Sequence, residues 1–227
     1  MCIINSEIEN YIKQLQPMCK GELGEIQEYG YENNFPIIPN DTVRFLGSIL
    51  AMKKPKTILE IGCCIGFSSS FMSMYLAQNG HITTIDRYDL MILKARKNFK
   101  KLGLEEKITL LEGDAKDILP SLNNSYDFIF LDANKGQYIN YFNDCIRLLN
   151  VGGVLIADDI FQNGNIAKCE NEVPRRQRTI YRRMKKFLDL ISNTDGLETS
   201  IVPVGDGIVM CVKTKSDIFI KENIINE

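Results

Sequence analysis

The sequence predicts an α/β fold, in which N-terminal helices precede a doubly wound, mostly parallel sheet of seven strands with an antiparallel last strand. Two observations carry this prediction. Between residues 57 and 159, apolar runs rich in β-branched residues alternate with helical stretches, which is typical of a parallel sheet covered on both faces. Near the end, two apolar runs flank Gly205-Asp206-Gly207, a hairpin signal that predicts the two final strands.

The N-terminal part of the chain predicts helices over residues 5–16, 21–33 and 42–54. Pro36 and Pro39 interrupt the helical pattern, and Asn40 or Asp41 can cap the third helix. We expect a single domain, with a helical cover over residues 1–54, a core over 55–214 and a tail over 215–227.

The core is predicted to contain five consecutive strands, at residues 57–62, 81–86, 108–113, 126–132 and 152–159. Helices are expected between and after them, at residues 68–78, 90–103, 114–122, 138–150 and 174–192. The loop between the last two strands contains the hairpin glycines.

Composition limits the classes of function. The 227 residues are 44% hydrophobic and 25% charged, and the net charge of −2 argues against a general polyanion binder. Seven cysteines, an odd number without a CxxC pair, predict reduced thiols. The N-terminus has acids where a signal peptide needs basic and then apolar residues, and no apolar stretch could span a bilayer. We therefore expect a cytoplasmic protein with no membrane partner.

Acidic residues stand at the ends of five consecutive predicted strands. The carboxyl ends of parallel strands form the ligand-binding edge of such a sheet, so these acids should meet at one crevice. They are Glu60, Asp86, Asp114, Asp132 and the pair Asp158-Asp159.

The first of these strand ends predicts a site for a nucleoside-containing ligand. Gly62 and Gly66 allow a tight turn before a helix, and Asp86, about twenty residues further on, can accept hydrogen bonds from ribose hydroxyls. The alternative is that the glycines only form a turn and Asp86 caps a helix. GxGxxG is absent, and Glu60 would repel a pyrophosphate while suiting a cationic amino-acid ligand. S-adenosylmethionine fits this environment better than NAD.

The pattern from Glu60 to Ser68, ExGxxxGxS, resembles the class I methyltransferases, which have a Rossmann-like fold. Asp86 after the second strand and Gly113-Asp114-Ala115 after the third fit the same resemblance. It implies that Gly113-Asp114-Ala115 lies beside the adenine of S-adenosylmethionine. The resemblance implies that seven residues of this region, and Asp132, contact the methyl donor. The seven are Glu60, Gly62, Gly66, Ser68, Asp86, Asp114 and Ala115.

The acids of the fourth and fifth strands predict a cation. Asp132, Asp158 and Asp159 would repel one another strongly unless a divalent ion lay between them. All-oxygen ligands suit Mg²⁺, or Mn²⁺ and Ca²⁺, and no nearby His or Cys has the spacing of zinc ligands. The alternative, that each acid only caps a helix, is plausible for one of them but less so for three.

A second resemblance concerns residues 131–138, Leu-Asp-Ala-Asn-Lys-Gly-Gln-Tyr, together with Ala157-Asp158-Asp159. These residues resemble the cation-dependent O-methyltransferases related to the catechol and caffeoyl-CoA enzymes. The resemblance implies that Asp132, Asp158 and Asp159 hold the metal, that Asp132 also serves catalysis, and that Lys135 takes the hydroxyl proton. Two departures are Asn134, which replaces an acid, and Asp159, which replaces an asparagine.

Seven of the twelve residues from Arg175 to Lys186 are basic. On a helix, one face would be apolar, through Ile180, Met184, Phe187, Leu188 and Ile191. The basic residues can contact phosphates of RNA, with Tyr181 or an arginine plane available for base stacking, or they can form an ordinary solvated face. The candidate RNA-binding residues are Arg175, Arg176, Arg178, Arg182 and Arg183.

Two further segments, FPIIPND and VPRRQRTIYRRM, are similar to bacterial tRNA 5-hydroxyuridine methyltransferases. This resemblance implies methylation of 5-hydroxyuridine at the wobble position of tRNA to 5-methoxyuridine, with the anticodon loop as partner. O-methylation of small catechol-like or phenolic vicinal diols is the alternative, and a non-catalytic module that binds S-adenosylmethionine or RNA is the second. Related enzymes usually pair, so we expect a homodimer, in which the N-terminal helices and the loop from Pro36 to Pro39 cover the active site or the partner.

Overall fold

The computed structural model describes residues 6–218. Cys2, the predicted start of the first helix at residue 5 and residues 219–227 of the predicted tail lie outside this range. The helices are α1 (Ser6–Leu15), α2 (Gly21–Glu32), α3 (Asn40–Lys53), α4 (Phe67–Ser73), α5 (Asp89–Lys101), α6 (Ala115–Ile118), α7 (Tyr138–Leu148) and α8 (Arg178–Asn193). The strands are β1 (Thr57–Ile61), β2 (His81–Asp86), β3 (Ile108–Glu112), β4 (Tyr126–Leu131), β5 (Leu149–Ala157), β6 (Leu197–Val202) and β7 (Ile208–Lys213).

The strands form a seven-stranded sheet in the order β3-β2-β1-β4-β5-β7-β6. The pairs β1/β2, β2/β3 and β4/β5 are parallel, whereas β7 is antiparallel to both β5 and β6. The predicted fold class, with its antiparallel last strand, is therefore confirmed. Val202 ends β6 and Ile208 begins β7, so the predicted hairpin turn lies where the sequence places it.

The described residues fall into two compact units, which meet in sequence between Ala115 and Lys116. In the first unit, α2 and α3 contact α4. Their apolar residues Leu23, Ile26, Val43, Leu46 and Leu50 are buried. The helical cover predicted for the N-terminus thus includes two helices that bury an apolar face in this unit.

Two helices are clearly shorter than predicted, α6, which covers Ala115–Ile118 instead of residues 114–122, and α4. α4 ends at Ser73, although the pattern predicted a helix over residues 68–78. Serine hydroxyls explain the difference, because Ser70 Oγ donates to the carbonyl of Gly66 at 2.6 Å and Ser73 Oγ donates to that of Ser70 at 2.7 Å. Such bonds compete with the helical ladder and favour an early end.

In the second unit, α8 packs on α7 and β6. Phe187 is fully buried and meets the rings of Tyr138 and Phe142 edge to face, with centroids 5.6 and 5.9 Å away. The buried face of α8 differs slightly from the predicted one. It contains Tyr181 and Leu190 as well as three predicted residues, whereas Ile180 and Leu188 are half-buried.

The six cysteines within residues 6–218 are free thiols. Burial raises the pKa of Cys63 and Cys145, and it raises that of Cys211 to about 12. These buried thiols therefore stay protonated and act as small apolar side chains. No helix in the described part of the chain is long and apolar enough to cross a bilayer. The cytoplasmic location stays a prediction.

Candidate active site

The predicted donor-binding loop follows β1 in the first unit. Gly62, with φ of 105°, donates its N–H to the carbonyl of Ile85 at 2.9 Å. Gly66 has φ of 79° and is the N-cap of α4, where a Cβ would lie 2.7 Å from the ring of Phe99. The backbone conformation favours glycine at both positions, and the close approach of Phe99 requires it at Gly66.

Glu60 is fully buried within β1. Its Oε1 accepts a hydrogen bond from Ser68 Oγ at 2.6 Å, and its Oε2 accepts from the hydroxyls of Ser69 and Thr84. The carboxylate therefore ties β1 to β2 and to the first turn of α4. The predicted contact between Glu60 and a methyl donor stays a prediction.

Asp86 is the last residue of β2 and is only 9% exposed. Its Oδ2 accepts the N–H of Cys64 at 2.8 Å, and its Oδ1 accepts the N–H of Tyr88 at 3.0 Å. Asp86 thus fixes the loop after β1 against its own strand end. Each carboxylate oxygen keeps a second lone pair, which leaves capacity for the predicted ribose contact.

Asp114 lies two residues beyond β3, and Ala115 begins α6 and is buried. Asp114 Oδ2 accepts a hydrogen bond from Arg87 at 2.8 Å, and the Arg87 guanidinium lies 5.2 Å from the ring centre of Tyr88. Sequence reasoning missed Arg87 and Tyr88, although they directly follow the ribose-binding candidate. Apart from Asp132, all predicted donor-binding residues belong to the first unit, and their contacts with a donor stay predictions.

The second unit brings the predicted catalytic lysine between two predicted metal ligands. Lys135 Nζ lies 2.8 Å from Asp132 Oδ1 and 3.0 Å from Asp159 Oδ2. Asp158 is 1% exposed, and its Oδ1 accepts the N–H of Asp159 at 2.8 Å. We call these four residues, Asp132, Lys135, Asp158 and Asp159, the acid cluster.

Tyr138 joins the two strand ends that carry the cluster. Its buried hydroxyl is placed to donate to two carbonyl oxygens, each 3.1 Å away. They belong to Leu131 in β4 and to Asp158 after β5. The Asp158 N–H also donates to the Leu131 carbonyl at 3.0 Å. Tyr138 belongs to the motif that suggested the family resemblance, but its position in the sequence gave no sign of this bridging role.

The cluster perturbs the pKa of each buried member. Burial and the charges of Asp132 and Asp159 raise the pKa of Asp158 well above its usual range. Burial also raises the pKa of Asp132, against the pull of Lys135. Burial acts to lower the pKa of Lys135, but Tyr138, Asp132 and Asp159 outweigh it and raise that pKa. Lys135 is therefore an ammonium in this arrangement.

The acids do not form a metal site as they are arranged. Within residues 6–218, no group of three or more His, Cys, Asp or Glu side chains could hold a metal ion. The all-oxygen donor set suits a hard cation chemically, but the ammonium of Lys135 already bridges two of the three carboxylates. The divalent cation stays a prediction from the sequence.

The predicted RNA-binding residues have different surroundings. Arg178 donates to the carbonyls of Val173 and Asn171, at 3.0 and 3.1 Å. Arg182 pairs with Glu170. These bonds fasten α8 to the irregular segment that precedes it.

Arg183 donates to the carbonyl of Gly136 at 3.1 Å, next to Lys135. The side chains of Arg175 and Arg176 are exposed and make no hydrogen bond or ion pair within the described range. Tyr181 is buried, and its hydroxyl donates to the Lys168 carbonyl at 2.9 Å. The prediction that Tyr181 is available for base stacking is therefore wrong, because the helix buries its ring.

A family model described as O-methyltransferase matches residues 13–214. This chain belongs to that O-methyltransferase family. It is 32% identical over 186 residues to the caffeoyl-CoA O-methyltransferase of Medicago sativa, covering 77% of this chain and 74% of the relative. The corresponding enzyme of Stellaria longipes is 31% identical over 174 residues, with 74% and 72% coverage.

Among solved structures, the SAH-bound methyltransferase PaMTH1 of Podospora anserina superposes with a TM-score of 0.81 and 25% identity, covering 92% of this chain and 95% of that one. The predicted enzyme class, an S-adenosylmethionine-dependent O-methyltransferase, is confirmed. The predicted closer relationship to tRNA-modifying enzymes is not shown.

The buried carboxyl of Asp158 should cost stability at neutral pH. Its raised pKa means that the folded protein holds this proton more tightly than the unfolded chain, so stability falls as pH rises through the folded-state pKa. We expect Asp158→Asn, measured in EDTA, to raise the free energy of unfolding at pH 8, by about 1.4 kcal/mol for each unit by which burial and the neighbouring charges raise the pKa of Asp158. The gain should shrink toward pH 5, as followed by the melting temperature.

Asp195→Asn is the matched control, because Asp195 is exposed and Lys215 lowers its pKa by hydrogen bonding and charge. It should give no gain at any pH. A gain for Asp158→Asn that is the same from pH 5 to 8 would contradict the assigned cause.

Proposed function

We propose that the protein transfers a methyl group from S-adenosylmethionine to one hydroxyl of a small catechol-like or phenolic diol. The observation that carries this proposal is the placement of Lys135 between Asp132 and Asp159, in a chain that belongs to an O-methyltransferase family. The names of the relatives at 31% and 32% identity support a phenolic acceptor.

The arginines of α8 support the diol over tRNA. Three of the five candidate RNA-binding residues are already engaged, with backbone carbonyls or with Glu170. The buried ring of Tyr181 cannot stack on a base. The remaining pair, Arg175 and Arg176, offers few phosphate contacts, and affinity for nucleic acid depends on the number of such contacts.

The chemistry that we propose is direct transfer of the methyl group from sulfur to oxygen. The acceptor hydroxyl gives its proton to solvent, directly or through Lys135 once that amine has lost its own proton. The hydroxyl oxygen forms the new bond to the methyl carbon, and the carbon–sulfur bond breaks with its electron pair left on sulfur, which releases S-adenosylhomocysteine. An ammonium at Lys135 stabilises the negative charge of a phenolate by proximity in a partly buried site. Lys135 can accept the hydroxyl proton only after it has lost its own, so an approaching acceptor has to change the balance of charge in the cluster.

An acceptor panel tests the substrate. We expect the labelled methyl group of S-adenosylmethionine to pass to vicinal diols roughly a hundredfold faster than to the matching monophenols. Binding of the second hydroxyl orients the reacting hydroxyl. Transfer only to tRNA containing 5-hydroxyuridine would contradict the diol proposal. In that case Arg175→Ala/Arg176→Ala should weaken the transfer, and the effect should diminish at high salt.

A substitution tests Lys135. Lys135→Met should lower kcat on the best diol by roughly 100-fold or more, because the ammonium that stabilises the phenolate is lost. Lys185→Met is the control, because Lys185 is exposed and lies over the ring of Tyr181. Unchanged kcat in Lys135→Met, with S-adenosylmethionine binding and melting temperature also unchanged, would contradict the assigned role.

Chelation tests the predicted cation. If the predicted cation is required, activity should stop after dialysis against EDTA and return when Mg²⁺ is added. Activity that persists in protein shown to be metal-free by elemental analysis would contradict the cation. It would support charge balance by Lys135, as the structure has it.

A further inference from the structure

The chain after β5 adopts a costly backbone conformation. Asp159, Gln162 and Asn163 have φ of 56°, 52° and 55°, and Gly164 has φ of 78°. Residues other than glycine rarely adopt this left-handed backbone conformation, so surrounding contacts must hold the segment in it. We call residues 159–164 the acid loop, because it begins with Asp159 of the acid cluster.

The turn between β6 and β7 supplies those contacts. The N–H of Asn163 donates to both carboxylate oxygens of Asp206, at 2.9 and 2.8 Å. The N–H of Phe161 donates to the carbonyl of Asp206 at 2.8 Å, and that of Ile160 to the carbonyl of Gly207 at 3.0 Å. Three backbone donors of the acid loop are thus held by two consecutive residues.

Close packing of Phe161 against the turn maintains the same contact. Gly207 has φ of 86°, and a Cβ on it would lie 2.1 Å from Cδ2 of Phe161. Only glycine allows the ring to approach the turn so closely. The hairpin signal Gly205-Asp206-Gly207 therefore has a use beyond reversing the chain.

The charge of Asp206 also belongs to this neighbourhood. The side chain is half-buried, and its carboxylate interacts electrostatically with both Asp159 and Lys135. Placing a second acid near Asp159 is unfavourable on electrostatic grounds. The N–H of Asn163 offsets that cost by donating to the carboxylate, so the position of Asp206 suits holding the loop.

We infer that Asp206 is a positioning residue, which holds the acid loop so that the Asp159 carboxylate reaches Lys135 Nζ. The proposed effect on activity rests on the proposed function. Whether Asp206 holds the acid loop does not depend on the proposed function, because hydrogen exchange measures this without a methyl acceptor. Asp206 touches the acid loop rather than the reacting atoms, and so it acts through Asp159.

The test uses three variants of the full chain. Asp206→Ala removes both acceptor oxygens, whereas Asp206→Asn keeps one, and Asp195→Asn is the control, an exposed acid in another loop of the same unit. We expect exchange of the Asn163 amide to rise roughly ten- to hundredfold in Asp206→Ala, less in Asp206→Asn, and not in the control, because a hydrogen bond to a charged acceptor is lost.

Activity gives the second measurement. In Asp206→Ala, kcat on the best diol should fall and the acceptor KM should rise, with partial rescue in Asp206→Asn. Binding of S-adenosylmethionine should not change.

Unchanged exchange at Asn163 in Asp206→Ala, or raised exchange with unchanged kcat and KM, would overturn the inference. If the wild type methylates no diol, the proposed function fails. Hydrogen exchange then still decides whether Asp206 holds the loop.

Discussion

The ion pairs of Lys135 with Asp132 and Asp159 are the interaction on which the second unit depends. Three carboxylates lie at the ends of β4 and β5, and one of them, Asp158, is almost completely buried. Without a positive charge, their repulsion in a medium of low polarity would force the strand ends apart or keep protons on the acids. One ammonium within 3.0 Å of two of these acids reduces that repulsion.

Several elements then serve to keep that ammonium in place. Lys135 is the first residue of a single 3₁₀ turn, Lys135–Gln137, which has little stability of its own. Asn134 accepts the N–H of Gly136 and caps this turn, and Arg183 of α8 donates to the Gly136 carbonyl. Tyr138 fixes the strand ends on either side. An arginine in a basic run thus supports the turn that carries Lys135, through a hydrogen bond to its backbone.

The sequence predicted the positions of the strand-end acids because the rule behind them is topological. Parallel strands place their carboxyl ends at one edge, whatever the side chains do in detail. The burial of Glu60 under three hydroxyls was not predictable in the same way, since it depends on which turn of α4 faces β1. The metal arrangement was also beyond the sequence, because residue spacing does not show whether Lys135 or a cation lies between the acids.

The basic run also has a structural use that the charge pattern did not predict. Between β5 and α8 the chain makes three short 3₁₀ turns, at Asn165–Ala167, Glu170–Glu172 and Arg175–Gln177. Such a segment has backbone carbonyls that no helix or strand ladder satisfies, and unpaired polar groups are costly when they are shielded from water. Arg178 satisfies two of these carbonyls, and the hydroxyl of Tyr181 approaches a third. The need to order an irregular segment beside the acid cluster therefore accounts for part of the positive charge that, in the sequence alone, favoured RNA.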